Sequence, residues 1–524
     1  MKVFTLIISD QSILFVLLQF INYFVMPIDL NLCKINFSQK NNDFFVFPGN
    51  KIENKFYTKL EKEFYKFLKK RERTEFYDIL NLNLVYIIRE CTSIFNNLLI
   101  IKGNKNLTCS SSDLEIYNFL KKKRIQIKSE YIFKRLRFKK TPIKNSLRVV
   151  RSFFNKENYT CFPPKLLSKD KFIFTFHIQE QMFDIAKSLG KTINLCKYNQ
   201  FIDPLRKSIP NNIRVSLKNI SNECIEFIKK IFNEYSICLE DFVIKPLRKF
   251  IYNLLNVTFQ INCSLINNKH FFSKEVFLGS MGILPNKIIS SLKGLDCYTF
   301  DHGVGTSWIN VPVRTLDEFR YSKKFIMYGK KIPSFLKNRN NIITVCSKKK
   351  RLISKNKIGG RKVLYITSHE KSNFAFSPLL IDDFKILNFR YKIIKELKNY
   401  FSVYFKPHPS SNIKIIENFV RQTDVNVEFE TFENIFLEYD YLIFENFGSS
   451  TFASALSSNK PIIILNFFDS YLEKQIKKDL MKRVSVVEII DKKNKFFFDS
   501  KSLGVLLKKS VIKKNNTDFF YKYF

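Results

Sequence analysis

Glycine is scarce in this 524-residue chain, 13 in all, and tryptophan occurs once. Collagen-like and Gly-rich low-complexity architectures are thereby excluded. The ten cysteines lie singly between Cys33 and Cys346, with no CxxC pair among them. Their spacing gives neither a disulfide framework nor a zinc site. A reduced compartment, the cytosol, is the expectation. Only five histidines occur, and no HExxH or acidic cluster accompanies them, so neither a metal nor a cofactor is expected. No GxxxxGK[ST], GxGxxG or GxSxG stands in a suitable context, which sets aside P-loop, dinucleotide and α/β-hydrolase readings.

A long apolar run is missing too. Val3 to Met26 is mostly apolar, but Asp10-Gln11-Ser12 cuts it, and Gln19 and Asn22 interrupt the remainder. The uninterrupted piece falls short of the roughly twenty residues that a membrane span requires. No small-residue cleavage site follows it. The reading is a buried strand, VFTLIIS, followed by a helix capped near Asp10–Ser12.

Basic charge is abundant: Lys and Arg number 88 against 47 Asp and Glu, a formal net charge of +41. A compositional bias toward Lys, Asn, Ile and Phe accounts for such a balance, and so does a polyanionic partner or an anionic membrane surface. Charge alone does not choose. The most basic region, Lys121–Arg151, interleaves KKKRIQIK and KRLRFKK with Ile, Tyr, Phe and Leu. It reads either as a solvated face or as a surface for anionic lipid. No RNA-binding module, helix–turn–helix or zinc finger appears, so no nucleic-acid partner is expected.

Apolar residues make up 45% of the chain, with 57 Phe and 23 Tyr. That is enough for two or three cores. Residues 1 to about 110 alternate short apolar runs (VFTLIIS, DFFVF, LNLVYII, NNLLIIKG) with helical patterns, and Lys51–Arg73 reads as an amphipathic basic helix. FIFTF, from Lys171, reads as another strand. From Glu275 the order becomes regular: EVFLGS a strand, ILPNKIISSLKG a helix, LDCYTF a strand. A polar, poorly periodic stretch follows and reads as a connection. KVLYIT then opens a second alternating series, ending in the aromatic tail FFYKYF. Strands alternating with helices predict an α/β protein of two Rossmann-like, doubly wound domains facing a cleft. The expected boundaries are 1–315, with a basic helical insertion at about 115–260, a linker at 316–361, and 362–524.

Three of the histidines fall at expected strand ends. Asp301-His302-Gly303 follows LDCYTF, and Ser368-His369 follows KVLYIT. His408 lies in Lys406-Pro407-His408-Pro409 after the strand Val403–Phe405. Two prolines in three residues cannot continue a ladder or start a helix directly, so the imidazole sits on a strand-end loop. His177 and His270, in ordinary contexts, read as structural. Further on, the strand Tyr441–Phe444 runs into Glu445-Asn446-Phe447-Gly448, and Ser449-Ser450-Thr451 opens a helix. In an open parallel sheet such loops share one edge, where ligands bind. An imidazole on one loop and hydroxyls with free helix N–H groups on another suit a phosphate.

The order strand–DHG, strand–KPHP, strand–FGSST, spanning Glu275–Leu465, resembles bacterial sialyltransferases and polysialyltransferases. It is also similar to the wider GT-B group of capsule enzymes, including Kdo transferases and CDP-glycerol glycerophosphotransferases. The resemblance implies a GT-B-like fold and a metal-independent inverting transferase of surface-polysaccharide assembly. Its expected partners are a nucleotide-sugar donor, CMP-linked by preference, and a glycan or lipid-linked acceptor. It further implies Asp301 as base on the acceptor hydroxyl and His408 as the group that contacts or protonates the leaving phosphate. Pro409, Gly448, Ser449, Ser450 and Thr451 would bind that phosphate, with Ser368, His369, Glu445 and Asn446 as further candidate substrate contacts. The family turn carries two acids, whereas the second here is His302, so the base role stays open between Asp301 and His302. Retaining GT-B enzymes resemble one another in a Glu-x7-Glu motif, but Ala453 stands where the second glutamate would be. The Gly-Gly and Glu-Glu pairs of UDP-sugar 2-epimerases are missing from ENFGSSTFASAL. The expected location is cytoplasmic, peripheral to the inner membrane face if the basic region meets lipid. Two alternatives stand: a Kdo or glycerophosphate transferase using the same cleft, and a non-catalytic polysaccharide- or membrane-binding protein on a transferase fold.

Overall fold

The computed structural model describes residues 4–7, 25–28, 50–70, 75–103, 107–109, 209–268, 275–279, 281, 284–301, 308, 319, 321–337, 341–345, 360–367, 383–409, 411, 413–445, 447, 449–467, 472–492, 495–516 and 518–523. The expected strands DFFVF and FIFTF, the cap at Asp10–Ser12 and the basic run Lys121–Arg151 lie outside them. So do His177, His270, His302, Ser368, His369, Asn446 and Gly448.

Strand β1 (Phe4–Ile7) falls within VFTLIIS and pairs in parallel with β2 (Val25–Ile28) and β3 (Leu107–Cys109). The order β2-β1-β3 leaves β2 on an edge, which accommodates its Pro27, a residue with no N–H to give a ladder.

Four helices form the next layer: α1 (Asn50–Lys69), α2 (Glu75–Gly103), α3 (Asn211–Asn233) and α4 (Asp241–Asn267). In α1, Phe56, Leu60, Phe64 and Phe67 recur at helical spacing and are buried. Phe56 stacks on Phe95 of α2 with ring centroids 3.8 Å apart. The runs LNLVYII and NNLLIIKG, read above as short apolar segments of an alternating domain, are both inside α2. Their continuity comes from burial on several faces at once, since Leu82, Asn83, Leu84, Val85, Ile87 and Ile88 are all buried. An all-round apolar helix shows no single stripe and imitates a buried strand. Inside this layer, the Asn83 side-chain amide donates to Thr258 Oγ1 at 2.8 Å and ties α2 to α4.

A four-stranded parallel sheet follows in the order β4-β5-β6-β7: Glu275–Phe277, Asp296–Phe300, Lys324–Tyr328 and Ile342–Val345. Helix α5 (Leu284–Ser291) links β4 to β5. Val276, Leu278, Ile288 and Ile289 pack there with Val257, Ile261 and Leu265 of α4. Strands β6 and β7 fall within 316–361, the stretch read as a connection. They are short and their flanks are rich in Lys, Asn and Ser, which hides the period.

The largest sheet begins at Lys362. Its strands are β8 (Lys362–Ile366), β9 (Ser402–Lys406), β10 (Asn426–Val427), β11 (Tyr441–Phe444), β12 (Ile462–Asn466) and β13 (Ser485–Glu488). All pairings are parallel. The spatial order is β10-β9-β8-β11-β12-β13, or 3-2-1-4-5-6 counted from β8. This is the doubly wound order whose ligand crevice lies where the sequence reverses, outside the ends of strands 1 and 4. The connecting helices are α6 (Asp383–Lys398), α7 (Ile413–Thr423), α8 (Phe432–Ile435), α9 (Ser450–Leu456) and α10 (Lys474–Leu480). The hairpin β14 (Ile490–Lys492) and β15 (Lys495–Phe497) precedes α11 (Ser500–Lys513) and α12 (Asp518–Tyr523). Strand β12 is buried at every position, as a central parallel strand covered on both faces must be.

The aromatic tail packs back. Phe519, Phe520 and Tyr523 of α12 are buried, and the Trp308 ring meets Phe519 and Tyr523 edge-on at 5.2 and 6.1 Å. The backbone N–H groups of Lys330 and Lys331, just beyond β6, donate to the Lys522 carbonyl at 3.0 and 3.3 Å. Gly329 makes the approach feasible. Its φ is +89°, and a Cβ there would stand 2.4 Å from the Tyr523 carbonyl carbon. Across the same seam Glu473 N donates to Trp308 O at 3.2 Å, and Ser334 Oγ to Glu473 Oε1 at 2.8 Å. The two sheets are thus joined through α12 and the start of α10.

Candidate functional site

The largest sheet presents three neighbouring strand ends at its carboxyl edge, after β9, β8 and β11. Thr367 N, just past β8, donates to Lys406 O at 3.1 Å, and Glu445 N, just past β11, donates to Ile366 O at 3.2 Å. The ladder therefore runs unbroken up to the loops. The loops after β9 and β11 flank that of β8, so two strand spacings, about 10 Å, separate them.

On the β9 side, Lys406 and Pro407 are buried while His408 and Pro409 are exposed. Ser411 N donates to His408 O at 2.9 Å, folding the loop directly into α7. Lys406, the first residue of the KPHP run, is 7% exposed, and its ammonium donates to the Glu430 carbonyl. Burial lowers its pKa, against the pull of Glu428, Glu433 and Glu430. The buried lysine ties the base of the loop to the start of α8, leaving the imidazole of His408 outside.

On the β11 side, Ser449 is the N-cap of α9. Its Oγ accepts from Phe452 N at 3.2 Å and lies 2.8 Å from Thr451 Oγ1. Both residues are partly exposed, and Ser450 is the first residue of the helix. Phe447 is buried and Phe452 fully so, which anchors both ends of the loop. Ser454 Oγ donates to Glu433 at 2.9 Å and fixes α9 against α8.

Glu445, set out above as a substrate contact, has its carboxylate turned into the protein. Arg390 of α6 donates from Nε to Oε1 and from Nη2 to Oε2, both at 2.7 Å, and Tyr365 Oη donates to Oε1 at 2.7 Å. Neither charged side chain has any exposed surface. Burial, with the Glu445 charge beside it, holds the Tyr365 hydroxyl well above its usual pKa. Arg390 and Tyr365 carried no local signal, because their partner lies 55 and 80 residues away in sequence.

In the other sheet, Asp301 stands directly beyond β5. Its N–H donates to Ile326 O at 2.9 Å and the residue is fully buried. Trp308, seven residues on, meets Phe519 and Tyr523 of α12. Among the described residues, no group of three or more His, Cys, Asp or Glu could hold a metal ion, and no helix is long and apolar enough to cross a membrane.

Together these features define an α/β protein of two larger parallel sheets, the second in the doubly wound order whose switch point falls between β8 and β11. No protein-family model and no curated protein matches the chain. Among solved structures it is similar to the UDP-GlcNAc 2-epimerase of Methanocaldococcus jannaschii, determined in complex with UDP-GlcNAc and UDP. The match has 11% identity and a TM-score of 0.36, over 67% of this chain and 97% of that one.

Proposed function

We propose that the protein is an inverting glycosyltransferase that uses a nucleotide-activated sugar, CMP-linked by preference, to build a surface polysaccharide. The observation that carries this reading is the carboxyl edge of the largest sheet. There an exposed imidazole, His408, and the Ser449–Thr451 hydroxyls at a helix start flank the switch point of a 3-2-1-4-5-6 sheet. A backbone separation of about 10 Å leaves room for one phosphate reached from both sides by these side chains.

In the reaction, the acceptor hydroxyl attacks the anomeric carbon as its bond to the nucleotide phosphate breaks. A base at the Asp301–His302 turn takes the hydroxyl proton. His408 donates to, or balances the charge of, the departing phosphate, assisted by Ser449, Ser450 and Thr451. Because Asp301 is buried, His302 is favoured over it as the group that takes the acceptor proton.

Calorimetric titration with CMP, CDP, UDP and GDP tests the reading. Cytidine nucleotides should bind, and His408→Ala should weaken them at least about tenfold with unchanged melting. Failure of every nucleotide, or full affinity in His408→Ala, would end it. Activity then separates His302→Ala from Asp301→Asn.

A further inference from the structure

Glu445, Arg390 and Tyr365 come from three places in the fold: just past β11, the middle of α6 and the penultimate position of β8. Each charged group is completely withdrawn from water. Such a set seldom adds net stability, since the desolvation cost of both ions offsets their attraction. Apolar residues of similar volume usually serve as well or better. Its location suggests what it does instead. Glu445 directly follows β11, and β11 and β8, the strand that carries Tyr365, are the pair between which the sheet order reverses. The bidentate fork holds the carboxylate in one plane and at one depth, a geometry that a lysine cannot reproduce.

We propose that Arg390 is a positioning residue for the candidate nucleotide site. By clamping Glu445 it fixes where the chain leaves β11, and hence where the Ser449 and Thr451 hydroxyls stand for a ligand phosphate. The phosphate part of this inference rests on the nucleotide reading above; the clamping part does not.

Two variants of the full chain test it: Arg390→Lys, and the apolar triple Tyr365→Phe/Arg390→Met/Glu445→Met. CMP is the probe, with amide hydrogen exchange as a second readout that needs no ligand. The triple variant should melt close to the parent yet bind CMP at least about tenfold more weakly. Arg390→Lys should exchange at least about tenfold faster over residues 446–452, with α11 unchanged. Parent affinity in a triple variant that melts like the parent would overturn the proposal. If the triple variant does not fold, or the parent binds no CMP, exchange in Arg390→Lys decides: faster over 446–452 alone upholds the clamp, and an unchanged or uniformly raised rate removes it. CMP failure in the parent would count against the nucleotide reading, not the clamp.

Discussion

Two buried carboxylates in this molecule are held in opposite styles. Glu445 is locked within one sheet by a single arginine and a tyrosine, all three without solvent contact. Asp479, with 7% of its side chain exposed, sits at the seam between the sheets, ringed by Lys522, Tyr523, Lys331 and Lys482. Burial alone would raise its carboxyl. Hydrogen bonds from Lys522, Tyr523 and Gln475 outweigh that and hold it well below the ordinary carboxylate range. The difference teaches where rigidity is placed. A planar arginine fork fixes one geometry, whereas flexible lysines hold a charge while letting the elements that carry them shift. The candidate phosphate loop is attached to the first kind of anchor, and the contact between sheets to the second.

The comparison breaks most visibly at Arg390. Arg390→Ala leaves Glu445 buried and uncompensated and should cost about 3–5 kcal/mol, read as a shifted midpoint in urea denaturation. No single lysine at the seam should approach this. Lys331 and Lys482 lie 3.8 and 3.5 Å from the Asp479 carboxylate, so losing one leaves others in place. A loss below about 1 kcal/mol for Arg390→Ala would mean that water reaches Glu445 and that the two anchors do not differ.

The seam has its own rigid point, and it is backbone. Gly329→Val forces a side chain onto a φ of +89° and into the Tyr523 backbone. About 2 kcal/mol of strain should displace α12 rather than unfold the sheets. Limited proteolysis should then remove the C-terminal segment of the variant faster than that of the parent, with the rest of the chain resistant.

What could be read in the sequence follows from this division. The KPHP and FGSST loops were legible because proline, glycine and serine punctuate locally, and the strands before them are apolar runs of ordinary length. The structure caps α9 with Ser449, where the residues implied that a helix opens. The contacts that hold these loops were not legible. Arg390, Tyr365 and Lys406 acquire partners only when distant strands pair, and α2 conceals its period by being buried all round. Strands β6 and β7 were hidden by their polar flanks, although they complete the sheet that carries Asp301.

Acid sharpens the contrast, because a third carboxylate moves the other way. Asp479 has a depressed folded pKa, so its contribution is fully present above the unfolded value and is lost as pH falls below the ordinary carboxylate range. Glu90, on α2, is pushed up to about 7 by burial. Its folded state favours the proton, so stability is greatest below its ordinary value of 4.5 and declines as pH rises toward about 7. Asp479→Asn should flatten the melting curve below pH 4, and Glu90→Gln should flatten it between pH 4.5 and 7. Glu90 keeps part of its surface open, so the gain for Glu90→Gln at neutral pH should be about 1 kcal/mol. Melting temperature against pH for the two variants and the parent checks both signs.

The finest test deletes the same group at each anchor. Tyr365 Oη donates to Glu445 at 2.7 Å, and Tyr523 Oη donates to Asp479 at 2.9 Å. Each is one hydroxyl given to one carboxylate oxygen, so Tyr→Phe removes like from like without changing ring volume. At Glu445 no solvent is at hand to replace the lost donor, and the cost should be about 2 kcal/mol. At Asp479 the neighbouring lysines can close in, and about 1 kcal/mol or less is expected. The Tyr523→Phe loss should also fade in acid as Asp479 becomes protonated. Equal costs at neutral pH would show that both carboxylates are held alike, and the distinction between a fixed anchor and a yielding one would fall.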